Sequence, residues 1–316
     1  MKKKKSHKLK IAILCVLVLL LTGCQTTLTD KDNNAVQNPE TGQSLTENIL
    51  CQPTNEKTVK LYEENGVKIE DLPKCTEFSI TSGGYEGLWT SIFVKPLAFV
   101  ILWIGKHIGS YAVSIIIITI LIRFLIFPLT KKMSVQSELM KKAQPELQRI
   151  QKKYANKTDQ ESMLKQNQEM MMVYQKYHFN PFTSCLVSFI QLPLFFAFLE
   201  AINRIPAIFE ENFLGLQLGT SPIVGFGTKT IFMYILLMVL IGASTVFTFK
   251  VNESMQSAGA SSKMMPVFMS VIIIITALFM PSALGIYWVV QNIFAIVQSI
   301  IIKKGMLSLI HISEPT

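Results

Sequence analysis

The sequence predicts an all-α polytopic membrane protein: five transmembrane helices, an amphipathic helix at the outer interface and a cytoplasmic helical hairpin. Three observations lead there. Half of the 316 residues are hydrophobic and only 16% are charged, against about 25% charged in an average soluble chain. The apolar residues fall in long runs separated by short polar loops, which suits one lipid-embedded domain better than two soluble domains of ~150 residues each. The formal charge of +9 is unevenly placed, and its placement decides what it means.

Six lysines occupy Met1 to Lys10, an uninterrupted apolar stretch runs from Ile11 to Leu21, and Leu21-Thr22-Gly23-Cys24 follows. That order is the n-region, h-region and cleavage site of an export signal, and the apolar run is shorter than the ~20 residues a span needs. Leu-Thr-Gly-Cys resembles a bacterial lipobox, in which the cysteine thiol receives a diacylglyceryl group and becomes the new N-terminus. Residues 1–23 then form a lipoprotein signal peptide and Cys24 is the lipidation site. The bland alternative is an uncleaved anchor with a chance cysteine. Cleavage removes six lysines and leaves a net charge of +3, so nucleic acid loses most of its support as a partner and no specific DNA binding is expected.

Residues 24–82 read as an extracytoplasmic, lipid-anchored segment, an exported linker or small flap. From Gln25 to Ser82 there are ten acidic residues against five lysines and no apolar run long enough to span. Cys51 and Cys75 lie in it with 23 residues between them. Outside the membrane a disulfide is permitted, and a bridge over such a loop stabilises by about 3 kcal/mol in the entropy model. Two independent thiols are the alternative. Cys185, in an apolar segment, reads as packing. Neither a CxxC motif nor a His/Cys cluster suggests a metal, and no cofactor is expected.

Gly87 to His107 is apolar but interrupted by Lys95, Pro96, Gly105 and Lys106, with Trp89 and Trp103 near its ends. It suits the outer interface, where rings sit at headgroup level and lysine snorkels; a full extra span is the competing reading. Five clear spans follow: Tyr111 to Leu129, Phe182 to Ile202, Thr230 to Phe249, Met264 to Met280 and Leu284 to Ile302. Between the first two, residues 130–181 carry ten lysines and arginines, which places this loop and the C-terminal end in the cytoplasm. The acidic N-terminal segment is then outside, in agreement with the lipobox.

Helical spacing recurs on both sides of a break at Asn156 to Asp159: Leu139, Leu147, Ile150 and Tyr154 before it, Leu164, Met171 and Tyr174 after it. Thr158 with Glu161 fits a capping box, so 130–181 reads as a helical hairpin. Its six methionines either form an adaptable apolar surface or pack the two arms together.

Arg123 is the only formal charge between Tyr111 and Leu129, six residues and about 9 Å of helix from the cytoplasmic end. An arginine at that depth is unfavourable by roughly 2.5 to 3.5 kcal/mol on insertion scales. Snorkelling to the inner headgroups is one resolution and an ion pair is another. The spans hold one carboxylate, Glu200, which straight antiparallel helices place about 18 Å away along the membrane normal. Polar residues fall where they can surround the arginine instead. Ser184, Ser188 and Gln191 follow i, i+4, i+7 spacing in the second span, Trp288, Gln291 and Gln298 are assigned to one face of the fifth, and Thr119 stands one turn before Arg123. Small polar residues also serve merely to knit helices together. A polar, positively charged cavity open to the cytosol reconciles a buried arginine with its missing counter-ion. The fourth span is short, and local bilayer thinning is one response to such mismatch.

From Gly109 the stretch GSYAVSIIIITILIRFLIFPLTKKMSVQSELMKKAQPELQRIQKKY, then NPFTSCLVSFIQLPLFFAF and PSALGIYWVVQNIFAIVQ, resembles the YidC/Oxa/Alb membrane protein insertases, most of all the lipoprotein type of Gram-positive bacteria. The resemblance covers about Gly83 to Lys304 in matching order. It implies an insertase of nascent membrane proteins in the bacterial cell membrane, not an enzyme, with a hydrophilic groove whose arginine maps onto Arg123 and whose polar positions map onto Gln191, Trp288 and Gln291. It further implies that Arg123 attracts acidic substrate tails, that the protein acts alone or with the Sec translocon, and that the hairpin meets substrate, ribosome or the signal recognition particle pathway. The insertase membrane domain is residues 83–306.

The competing class is a transporter or channel for a small anion using Arg123, against which stand the absence of inverted repeats and a hairpin too large for a simple loop. Residues 307–316, LSLIHISEPT, break the pattern of the preceding helix and back-translate in frame to a sequencing-library transposon adaptor. They read as an artefact of a truncated gene.

Overall fold

The computed structural model describes residues 26–178, 180–251 and 264–313. Residues 1–23, expected to be a signal peptide, and Cys24 lie outside them, as do the side chains of Ser184, Cys185 and Ser188. The helices are α1 (Glu56–Glu64), α2 (Thr90–Ile108, opening with a π-helical turn over Thr90–Val94), α3 (Tyr111–Tyr154), α4 (Gln160–Lys176), α5 (Pro181–Arg204), α6 (Ile231–Val251), α7 (Met264–Phe279) and α8 (Ser282–Ser313). Between α5 and α6 lie single helical turns at Pro206–Phe209 and Pro222–Gly225 and a two-stranded antiparallel ribbon, β1 (Asn212–Phe213) with β2 (Leu216–Gln217).

Among the described residues four helices are long and apolar enough to cross a bilayer: α2, α3, α6 and α8 over Ser282–Ile302. Their large apolar side chains are widely exposed, among them Leu125, Phe232, Val239 and Ile301, which water would penalise and lipid would not. The segment expected to be a short fourth span forms the 16-residue α7, about 24 Å of helix against a hydrocarbon core of ~30 Å, and is not one of these four. The helix α8 continues to Ser313, through most of the terminal decapeptide.

The chain divides into two compact units. The first comprises Met1–Ile118, Leu192–Ile235 and Phe279–Ile286. Of the linker and the small flap that the composition allowed, its N-terminal part is a small folded flap. Isolated bridges pair Thr27 with Thr46, Thr29 with Ala35, Gln37 with Ser44 and Gln52 with Lys74. Asn55 caps α1 by accepting from the Lys57 and Thr58 N–H groups, and Leu28, Val36, Leu45, Ile49, Tyr62 and Ile69 make a small core.

Phe209, from the loop after α5, completes that core. Backbone and side-chain bonds fasten the cap to the same loop: Leu50 N–H donates to the Arg204 carbonyl at 2.8 Å, Thr220 Oγ1 to the Thr41 carbonyl at 2.8 Å, and Thr54 and Asn55 N–H groups to the Glu210 carboxylate. The neighbouring Glu211 accepts from Ser110 Oγ and the Tyr111 N–H, both at 2.6 Å, placing a negative charge at the N-terminus of α3. The turn from α2 to α3 needs two glycines. Gly109 has φ +82°, and a Cβ on Gly105 would lie 2.2 Å from the Tyr111 ring.

Cys51 and Cys75 are joined in a disulfide within this cap. The purified full chain is therefore expected to show neither as a free thiol, and Cys51→Ser to destabilise the cap by about 3 kcal/mol. Hydrogen exchange across residues 26–82 reads this; equal protection in the variant would contradict it.

The second unit comprises Thr119–Gln191, Leu236–Leu278 and Tyr287–Thr316. The helix of the first span does not stop at Leu129: α3 is continuous for 44 residues through Pro128 and Pro145, about 66 Å of helix, twice a hydrocarbon core of ~30 Å, and so runs on into the hairpin. Pro128 donates no backbone bond, but Thr130 Oγ1 donates to the carbonyls of Ile126 and Phe127, and no glycine follows to end the helix. The extension of α3 packs on α4 through Ala143, Leu147 and Val173, flanked by Met140, Ile150, Met170, Tyr174 and Tyr177.

The hairpin is right in outline and corrected in detail. Asp159, not Thr158, caps α4 by accepting from the Ser162 N–H at 2.8 Å, and Glu161 pairs with Lys165. Leu164 and Met171 do not face the first arm; with Met163 and Met172 they are more than half exposed. The arms are also tied by Lys153–Glu169 and Lys176–Glu146, each carboxylate accepting a tyrosine hydroxyl as well, from Tyr154 and Tyr177.

Candidate functional site

Within the second unit, α3, α5 and α8 bring three polar side chains together. Arg123 is 9% exposed, and its Nη2 donates to Gln191 Oε1 at 3.3 Å. The other end of that amide, Nε2, donates to the Tyr287 hydroxyl at 3.1 Å. Tyr287 is buried, Gln191 half-buried. Among the described residues Arg123 has no ion pair. A guanidinium held by neutral groups away from bulk water keeps an uncompensated positive field, which is where a carboxylate gains most.

Thr119 is buried one turn before Arg123, and Trp288 and Gln291 are half-buried on α8. Gln298 is not part of the cluster. It lies eleven residues beyond Tyr287, about 16 Å of helix, and donates to Thr130 Oγ1 at 2.6 Å, joining α8 to α3. Asn292 makes a similar tie to α6, donating to Ser244 Oγ at 3.2 Å and Thr245 Oγ1 at 3.0 Å.

Sequence reasoning missed Tyr287 and Asn292. It assigned Trp288 to the face of Gln291 and Gln298; residues 287, 291, 294 and 298 follow i, i+4, i+7, i+11, so Tyr287 lies on that face too, about 40° from Gln291, while Trp288, three residues before Gln291, stands at its edge. That spacing is the signal that would have found it.

The first unit holds a separate charge network. Lys95, expected to snorkel, is instead fully buried: its Nζ pairs with Glu86 at 2.8 Å and donates to the carbonyls of Ser82 and Gly84. Arg204 ends α5 almost fully buried and pairs with Glu86 and with Glu200 at 2.9 Å. Its Nε donates to the Asn48 carbonyl, and Trp89 Nε1 donates to Glu200. The one carboxylate of the predicted spans is thereby committed to Arg204. No three His, Cys, Asp or Glu side chains converge as metal ligands among the described residues.

Burial raises the Glu86 carboxyl, but Lys95 and Arg204 outweigh it and hold the group below its usual range. A depressed folded-state value means the stabilisation is complete above the ordinary carboxylate value of about 4.3 and is lost as pH falls through the lower folded value. Thermal stability is expected to be flat above about pH 5 and to fall below about pH 4, with Glu86→Gln flattening that acid limb. The same acid limb in both proteins would contradict the assignment.

A family model described as 60Kd inner membrane protein matches residues 103–308, a stretch containing Arg123, Gln191 and Tyr287. The chain is 35% identical over 250 residues to the membrane protein insertase YidC of Oceanobacillus iheyensis, covering 75% of this chain and 92% of that protein. To the membrane protein insertase MisCA of Bacillus subtilis it is 37% identical over 221 residues, covering 68% and 79%. A crystal structure of an active YidC insertase with its first transmembrane domain resolved aligns at 19% identity and a TM-score of 0.45, over 77% of this chain and 50% of that one. With more than half of its length matched by the family model and its relatives matched across most of theirs, the chain belongs to the 60Kd inner membrane protein family, the membrane protein insertases of the YidC type.

Proposed function

We propose that this chain moves nascent hydrophobic segments from the cytosol into the bilayer through a hydrophilic groove centred on Arg123. The observation that carries the reading is a buried arginine held by the neutral amide of Gln191, with no ion pair among the described residues. At 4 Å and an effective dielectric of 20, opposite unit charges attract by about 4 kcal/mol. An acidic extracytoplasmic tail is drawn to Arg123 while the hydrophobic segment leaves along α5 and α8. Thr119, Trp288 and Gln291 line the same groove, to which the sequence spacing alone also assigns Ser184 and Ser188, and the short α7 thins the bilayer beside it.

In this reading five segments span the membrane and α2 lies at the outer interface, although its length and composition also suit a span. Residues 24–82 are outside and lipid-anchored through Cys24; the hairpin and the C-terminal end are cytoplasmic, as the ten cations of residues 130–181 support. The exposed apolar side chains of α4, chiefly Leu164, Met171 and Met172, supply an adaptable surface for capturing substrate. The Sec translocon, the ribosome and the signal recognition particle pathway are its proposed partners.

Reconstitution into liposomes tests the reading. Purified protein is expected to insert a small single-span substrate; failure to do so together with anion exchange would replace it with a small-anion transporter. For the anchor, Cys24→Ala should leave the signal uncleaved, and an unchanged intact mass after expression would reject lipidation.

A further inference from the structure

Arginine only donates hydrogen bonds, so the Gln191 amide must turn its oxygen toward Arg123, as it does at 3.3 Å. Its NH2 group then faces away and needs an acceptor of its own. The Tyr287 hydroxyl oxygen provides one at 3.1 Å, from a side chain only 3% exposed. The three groups form a chain with one direction, from guanidinium to amide to phenol. Glutamine has three rotatable side-chain bonds and, placed between helices, takes whichever rotamer satisfies both ends of its amide. Tyr287 is held more tightly, with two side-chain torsions and a buried ring.

We infer that Tyr287 is a positioning residue: through Gln191 it fixes where the Arg123 guanidinium stands, and so sets how strongly the protein favours substrates with acidic tails over neutral ones. The inference rests on the reading of Arg123 given above and adds a residue to it. If the hydroxyl is removed, the Gln191 NH2 loses its acceptor, the amide swings to find another, and the carbonyl that holds Arg123 moves with it. The positive charge remains in the membrane but no longer at one place, so the preference falls without the charge being lost.

The full chain in proteoliposomes, given two single-span substrates that differ only in an acidic or an uncharged tail, tests this through the ratio of the two insertion rates. Tyr287→Phe keeps the ring and is expected to lower the acidic-to-neutral ratio about fivefold, the scale of one hydrogen bond, with Gln191→Leu lowering it similarly. In an Arg123→Ala background Tyr287→Phe should change the ratio no further, because nothing is left to position. An equal fall for both substrates would mean a merely structural role and overturn the inference. So would an unchanged ratio in Tyr287→Phe while Arg123→Ala collapses it, a result that leaves the reading of Arg123 standing. If Arg123→Ala itself preserves the ratio, that reading fails and takes the inference with it.

Discussion

Arg123→Ala is expected to lower insertion of substrates with acidic tails by at least about tenfold, which corresponds to roughly 1.4 kcal/mol, a fraction of the attraction available to a carboxylate at this site. The same substitution should leave thermal stability unchanged or raise it. An arginine at this depth is unfavourable to the fold by roughly 2.5 to 3.5 kcal/mol, and alanine removes that penalty while sacrificing one hydrogen bond to Gln191. Loss of activity without loss of stability separates a working charge from a structural one. Arg123→Lys keeps the charge but not the planar fork, and should retain substantial insertion. Equal activity of Ala and wild type on acidic-tailed substrates would remove the electrostatic mechanism.

The second large effect concerns the first unit. Arg204 is almost fully buried between Glu86 and Glu200 and also reaches the Asn48 carbonyl. Arg204→Met leaves one carboxylate, Glu200, buried against Trp89 without its cation, and leaves Glu86 only Lys95. Breaking a buried pair from one side costs about 3 to 5 kcal/mol. The expected result is a clear drop in melting temperature together with faster hydrogen exchange in residues 26–82, because Arg204 also anchors the cap. A double variant, Arg204→Met with Glu200→Gln, should recover part of the loss. A melting temperature within a degree or two of wild type in the single variant would show that the network contributes little.

The contrast between these two arginines shows what could be read from sequence. Arg123 stood out because it interrupts an apolar run, and Gln191 because its spacing from two serines follows the helical period; both signals are local. Arg204 sits at the end of such a run, where arginine is ordinary, and its partner Glu86 is 118 positions away, beyond any periodicity. Lys95 looked like a snorkelling lysine for the same reason: its neutralising carboxylate comes from a loop that composition could not place. The N-terminal cap was left open between a linker and a small flap because its core residues are scattered singly through polar sequence and one of them, Phe209, belongs to another segment.

Local signals also misled where two physical effects compete. The first span was ended at Leu129, where a basic stretch begins, yet the helix continues through Pro128 into the hairpin, with Thr130 bonding to the carbonyls of Ile126 and Phe127. In α4 the apolar pattern admits two faces about 100° apart, and the tyrosine and ion-pair contacts between the arms choose the one carrying Met170, Val173 and Tyr174 over the one carrying Leu164 and Met171. Tyr287 was passed over in favour of the larger neighbouring ring of Trp288, although both share the face of Gln291, Tyr287 four residues before it and Trp288 three.

The central claim is that a substrate passes the polar cluster rather than the apolar outside of α3. Site-specific photocrosslinking of a stalled, acidic-tailed nascent chain tests it directly, with the photoreactive group placed at Gln291, one turn from Tyr287, and at Leu125, two residues from Arg123 and 80% exposed. The account predicts strong crosslinks from position 291, diminished by Arg123→Ala, and weak ones from position 125. Crosslinks from position 125 as strong as those from 291, unaffected by Arg123→Ala, would contradict it.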